Sequence, residues 1–208
     1  MPVNFPVDAV FKQADTLYVA AGTVDISYDG GATWVANENG LGNLPVPISV
    51  LNLYAKGSTI YAGTFKGLAV SNDGGKSFTI NSGGLGSGNP GDAQCNGMAV
   101  DNGTIYVGTE TGVGISTNGG LSFTEATTTN GLGGNETSSV AVEDSLLVAG
   151  SYSTGLSLSR DDGKSFINFT TVNGLGGNMV YCVSILNGAI YASTSNGFNA
   201  TITIMRPR

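Results

Sequence analysis

The 208-residue sequence predicts an all-β protein in which one four-stranded antiparallel unit recurs along the chain. Three observations lead there. A turn box of the pattern Ser-x-Asp/Asn-x-Gly-x-x-aromatic occurs at 27–34, 71–78, 116–123 and 159–166, a spacing that fits a unit of 40 to 50 residues. Upstream of each box lies a short β-branched and aromatic run, TLYVA at 16, TIYAG at 59, TIYVG at 104 and SLLVA at 145, with a fifth, AIYAS, at 189. Downstream lies a linker, NGLG at 39, 130 and 173 and GGLG at 83. No window carries an apolar stripe of helical period.

Taken in order, the units span about 7–43, 44–88, 89–134, 135–177 and 178–208. The second shows the pattern: ISVLNLYA, a KGS turn, TIYAGT, an FKG turn, LAVS, the NDGG turn, KSFTI, then the glycine-rich linker. Four strands of about six residues with four connections of about five use roughly 44 residues, so the arithmetic closes on one four-stranded meander. Such units at this period predict a β-propeller, whose blades pack radially and leave only short edges. The fifth unit supplies three strands near 180–186, 189–194 and 200–205. Val3, Asn4 and Phe5, flanked by Pro2 and Pro6, would add its fourth, since proline is tolerated on an edge strand. The expectation is a single domain of five four-stranded blades, closed by pairing the N- and C-terminal strands. The rival is an open arc completed by a second chain.

Composition removes several function classes. Eight basic against 15 acidic residues, a net charge of −7, cannot build the positive field that a phosphate backbone requires, so nucleic acid is not expected as a partner. No run of 18 apolar residues is present, so no membrane insertion is expected, and the first residues show no signal peptide. With no histidine, imidazole bases and histidine-ligated zinc are excluded. The DGG turns lack the dense oxygen alternation of a calcium loop; neither metal nor cofactor is expected. Cys95 and Cys182 are expected as two buried thiols, and a bridge would need their Cα atoms within about 7 Å.

The four boxes resemble the Asp-box, or bacterial neuraminidase repeat, found in sialidases and other propellers. The match covers Ser27, Asp29, Gly31 and Trp34; Ser71, Asp73, Gly75 and Phe78; Ser116, Asn118, Gly120 and Phe123; and Ser159, Asp161, Gly163 and Phe166. Asn118 replaces Asp in the third box, and Asp162 replaces the first glycine of the fourth. The tract around NGLGGN and AIYAST is also similar to sensor propellers of two-component regulators. The resemblance implies a structural turn between third and fourth strands. There the Asp or Asn accepts backbone N–H groups, glycine takes a positive φ, and the aromatic packs into the core. Sialidase chemistry does not follow. That family's arginine triad has no counterpart, because Arg160 lies in a box turn and Arg206 and Arg208 at the C-terminal end.

In an up-and-down blade the boxes share one face with the turns after first strands, while loops after second strands lie on the other. That second face is also where the NGLG linkers are expected. Phe65, Lys66, Glu110 and Tyr152 fall at comparable places in its loops, with Asn39, Asn130 and Asn173 in the linkers. Aromatic rings beside amide, hydroxyl and charged groups stack on sugar rings or anchor a protein contact. Leu41, Leu85, Leu132 and Leu175 in the linkers read instead as packing plugs. The leading expectation is a non-catalytic module binding carbohydrate through this face, extracellular or at the cell surface. The alternatives are a structural or protein-interaction module, monomeric or self-associating, and a glycoside hydrolase with two carboxylates about 5 to 10 Å apart.

Overall fold

The computed structural model describes residues 6–37, 40–41, 50–88 and 91–203. Blade one comprises β1 (Ala9–Gln13), β2 (Thr16–Ala20), β3 (Val24–Ser27) and β4 (Val35–Asn37). Blade two comprises β5 (Val50–Lys56), β6 (Thr59–Thr64), β7 (Gly67–Ser71) and β8 (Thr79–Asn81). Blade three comprises β9 (Gly97–Asp101), β10 (Thr104–Gly108), β11 (Val113–Ser116) and β12 (Thr124–Ala126), and blade four β13 (Thr137–Glu143), β14 (Leu146–Ser151), β15 (Leu156–Ser159) and β16 (Ile167–Phe169). Blade five has β17 (Val180–Leu186), β18 (Ala189–Thr194) and β19 (Gly197–Thr203). Each sheet is an antiparallel meander in chain order, four of them four-stranded and the last three-stranded.

The middle strands are buried where a blade lies against its neighbours. Thus β7 is buried along its whole length, as are β3 and β15. Ile60, Ala62 and Ala69 of blade two meet Tyr18, Ala20, Val24 and Ile26 of blade one in one core cluster, and the later junctions repeat the arrangement. The innermost strands pack in sequence, β5 on β1, β9 on β5, β13 on β9 and β17 on β13. No comparable packing joins β17 to β1 among the described residues. The expected closing strand, Val3 to Phe5, lies outside the described residues, as does Asn39.

The box turn is built on the same inner bonds four times. In the second, the Ser71 hydroxyl donates to Asp73 Oδ1 at 2.8 Å and accepts from the Gly75 N–H at 2.9 Å, while the Ser77 N–H donates to Asp73 Oδ1 at 3.0 Å. Ser27 with Asp29, Ser116 with Asn118 and Ser159 with Asp161 repeat these bonds. Asn118 achieves the same turn with a reversed outer bond, its Nδ2 donating to Ser122 Oγ at 2.8 Å.

The first three linkers reach the outer edge of the next blade, and the leucine of all four is a plug: Leu41, Leu85, Leu132 and Leu175 are all buried. The last two linkers contain a 3-10 turn, Thr128–Asn130 and Thr171–Asn173, capped by Thr127 and Thr170. Linker glycines lie over the box aromatics of the following blade. A Cβ on Gly40, Gly84 or Gly131 would meet the carbonyl of Phe78, Phe123 or Phe166.

Two expectations are corrected here. Trp34 is only half-buried, its indole N–H donating to Gly31 O at 3.0 Å, because no described linker lies over the first box as the others lie over theirs. Phe78 and Phe123 are buried, whereas Phe166 is half-buried at the edge of its cluster. Cys95 is buried but Cys182 is exposed, because alternation along β17 turns Val183 toward blade four and leaves Cys182 on the opposite face.

Candidate functional site

On the face opposite the boxes, the chain segments entering blades three, four and five cross the loop between second and third strands of the preceding blade. The Cys95 N–H donates to Thr64 O at 3.0 Å and the Asn96 N–H to Gly108 O at 2.9 Å, so residues 93–96 tie the blade-two loop to the blade-three loop. The Thr137 N–H to Thr109 O at 2.8 Å and the Tyr152 N–H to Glu136 O at 3.3 Å continue the belt, and the Gly155 N–H to Asn178 O at 2.7 Å carries it to the segment entering blade five. Within the loops, threonine hydroxyls hold tight turns: Thr64 Oγ1 donates to Gly67 O at 2.8 Å and accepts from the Lys66 N–H at 3.1 Å. Thr109 does the same beside Glu110, and Ser151 Oγ, accepting from the Ser153 N–H at 3.2 Å and the Thr154 N–H at 3.3 Å, holds the longer loop of Tyr152.

Glu110 and Tyr152 are brought together from adjacent blades. Burial raises the Tyr152 phenol above its ordinary value, and the neighbouring Glu110 carboxylate raises it further, so the ring presents a neutral hydroxyl beside a carboxylate. The Asn96 amide donates to Glu110 Oε1 at 2.9 Å and to Thr137 O at 3.1 Å, and Asn96 Oδ1 accepts from Gln94 Nε2 at 2.8 Å. Asn96 thus links Gln94, Glu110 and the start of β13 beside the Tyr152 ring. Phe65 is 42% and Tyr152 37% exposed.

Asn130 and Asn173 do not join this group. Each caps its own 3-10 turn, accepting the N–H of Thr127 or Thr170 at 3.0 Å, and Asn130 O accepts from the Phe166 N–H at 3.1 Å on the outer strand of blade four. They belong to the outer rim. Sequence reasoning missed Gln94 and Asn96, which carried no repeat signal because only this blade has them. It also missed Tyr181, 52% exposed where a register shift interrupts β17. Such bulges turn a side chain away from its regular face.

Among the described residues no cluster of three or more metal-ligating side chains occurs, and no helix is long and apolar enough to cross a membrane. Glu125 accepts from Thr109 Oγ1 at 2.9 Å, Thr111 Oγ1 at 2.7 Å and the Gly86 N–H at 3.3 Å, which makes it a strut between linker and loop.

No known family pattern and no curated protein matches the chain. Solved structures do. The extracellular domain of a putative one-component system from B. thetaiotaomicron is similar at a TM-score of 0.75 and 18% identity, over 97% of this chain and 28% of that one. YCF48 from Cyanidioschyzon merolae is similar at 0.71 and 14% identity, over 99% of this chain and 70% of that one, and has also been solved bound to D1 peptide. An ancestral GH74 enzyme gives 0.63 and 18% identity, over 96% of this chain and 31% of that one. The chain therefore spans less than a third of the sensor domain it resembles, and the likeness at these identities establishes an all-β, propeller-type fold of five antiparallel sheets.

Proposed function

We propose that the chain is a non-catalytic recognition module of an extracellular or cell-surface protein, and that it takes carbohydrate on the face opposite the boxes. The observation that carries this reading is the meeting of Tyr152 and Glu110, held by Asn96, with Phe65 on the adjoining blade. A half-exposed ring offers an apolar platform to the C–H face of a sugar, while the carboxylate accepts and the amides donate to its hydroxyls. Likeness to an extracellular sensor domain supports recognition rather than turnover. The test is a glycan array with folded protein. Binding to one glycan class, weakened at least about tenfold by Tyr152→Ala, is expected, equivalent to roughly 1.4 kcal/mol. An array without binding by folded protein overturns the carbohydrate reading.

A second reading, an assembly module, is favoured by apolar exposure on the two terminal blades: Val10 at 64% on β1 and Leu186 at 61% on β17. An arc whose end faces meet another copy would cover them, whereas a ring closed by the two termini would cover them internally. Light scattering across a concentration series separates the two, because only the arc gains mass.

A further inference from the structure

Along the outer rim, on the box side, two clefts occupy equivalent places at successive blade junctions. The one between blades two and three holds about 320 Å³ and is lined by Val70, Asn72, Thr79, Gly119 and Leu121. The one between blades three and four holds about 420 Å³, with Ile115, Thr117, Thr124, Asp162 and Lys164 at the corresponding positions of the repeat. Both volumes lie in the range of small-molecule pockets, about 300 to 1,000 Å³. The clefts exist because the outer strands, three residues each, are too short to fill the widening wedge between blades.

The two differ where chemistry is concentrated. Glycine and leucine of the third box become a carboxylate and an ammonium in the fourth. Asp162 holds φ at +59°, a region that favours glycine, and glycine occupies that place in the other three boxes. Tyr106 of blade three, only 2% exposed, lies near enough for the Asp162 charge to act on its phenol. Burial, then the charge of Asp162, pushes that phenol up to about 12, so it stays a donor. Lys164 makes no ion pair among the described residues. The floor is apolar, since Gly163 lies so close to Ile115 that a Cβ would stand 2.4 Å from its Cδ1.

We propose that the cleft between blades three and four binds one neutral sugar residue, with Asp162 accepting from and Lys164 donating to adjacent hydroxyls over the Ile115 floor. Thr117 and Thr124 offer further hydroxyls at its walls. Acidic sugars are disfavoured because Glu125 adds a second carboxylate to the lining, already committed to Thr109 and Thr111. The site is separate from the Tyr152 face and does not depend on it.

Amide chemical shifts of the whole chain, followed by NMR during titration with methyl glycosides of glucose, galactose, mannose and N-acetylglucosamine, test the site. A saturable shift of the Thr117, Gly163 and Lys164 amides with at least one glycoside is expected. Asp162→Gly and Lys164→Leu install residues found at these places in the third box, so both fold. Either should weaken the titration about tenfold or more, while Tyr152→Ala leaves it unchanged. Absence of a saturable shift at these amides, or an unchanged titration in both cleft variants, overturns the proposal. Loss of array binding in Tyr152→Ala alone would bear only on the opposite face.

Discussion

Gly84 of the second linker lies directly over Phe123 of the third box: a Cβ built on Gly84 would stand 2.0 Å from the Phe123 carbonyl oxygen, and the Phe123 N–H donates to Gly83 O at 2.9 Å. The same approach joins Gly40 to Phe78. Gly174 has an equivalent φ of +92° but meets nothing within 4 Å. Gly174→Ala therefore isolates the left-handed backbone cost, about 1 to 2 kcal/mol. Gly84→Ala adds displacement of a packed backbone, raising the total to about 2 to 5 kcal/mol. Urea denaturation of the two variants measures the difference, and equal losses would show that linker and box do not press on each other.

The box carboxylates predict an acid-sensitive fold. Hydrogen bonds from Ser77, Ser71 and their counterparts lower Asp29, Asp73 and Asp161 to about 2, against an ordinary value near 3.8. A folded value below the unfolded one stabilises above pH 3.8, and that contribution is lost as pH falls through about 2. Thermal melts should show a plateau above about pH 4 and a decline between 4 and 2. Because Asn118 builds the same turn without a charge, the triple variant Asp29→Asn, Asp73→Asn, Asp161→Asn is expected to fold and to flatten this decline. An unaltered decline would place the acid response elsewhere.

The two thiols should react very differently. Cys95 is buried, and burial pushes its thiol up to about 12, which removes the thiolate that attacks. Cys182 is exposed on the outer side of β17. A maleimide should label native protein once, and Cys182→Ser should abolish that labelling until denaturant is added. Prompt double labelling would contradict the buried place of Cys95 between Thr64 and Asn52.

Leu85 and Gly114 form a size-complementary pair, since a Cβ on Gly114 would lie 2.1 Å from Leu85 Cδ2. Leu85→Ala should cost about 2 to 5 kcal/mol by leaving a cavity at the junction of blades two and three. Gly114→Ala should cost about 1 to 3 kcal/mol by overpacking. In the double variant the new methyl enters the vacated space, so the sum should overshoot the measured loss by about 0.5 to 3 kcal/mol. Simple additivity would break the pairing.

Much of the loop layout was legible in the chain. Period and parity placed Phe65, Glu110 and Tyr152 in equivalent loops; Thr64 and Thr109 hold the first two in matching turns, while the Tyr152 loop is one residue longer and is held by Ser151. Asn130 and Asn173 fell elsewhere because each caps its own 3-10 turn, and Asn130 also docks on Lys164 O of the next blade, 34 residues away and far beyond any local pattern.

What the amino-acid order determined alone is the box turn and the strand order of the unit: the turn is set by contacts within a few residues, Ser71 to Asp73 to Ser77 among them, so it recurs wherever those residues do, whereas the outer strands proved to be three residues rather than about six. What tertiary structure alone decided is coverage. Whether Trp34 or Phe78 is sheltered, whether Cys182 is reachable, and whether a cleft opens beside Asp162 all depend on which blade lies against which face. Burial is a property of two surfaces meeting, and each repeat encodes only one of them.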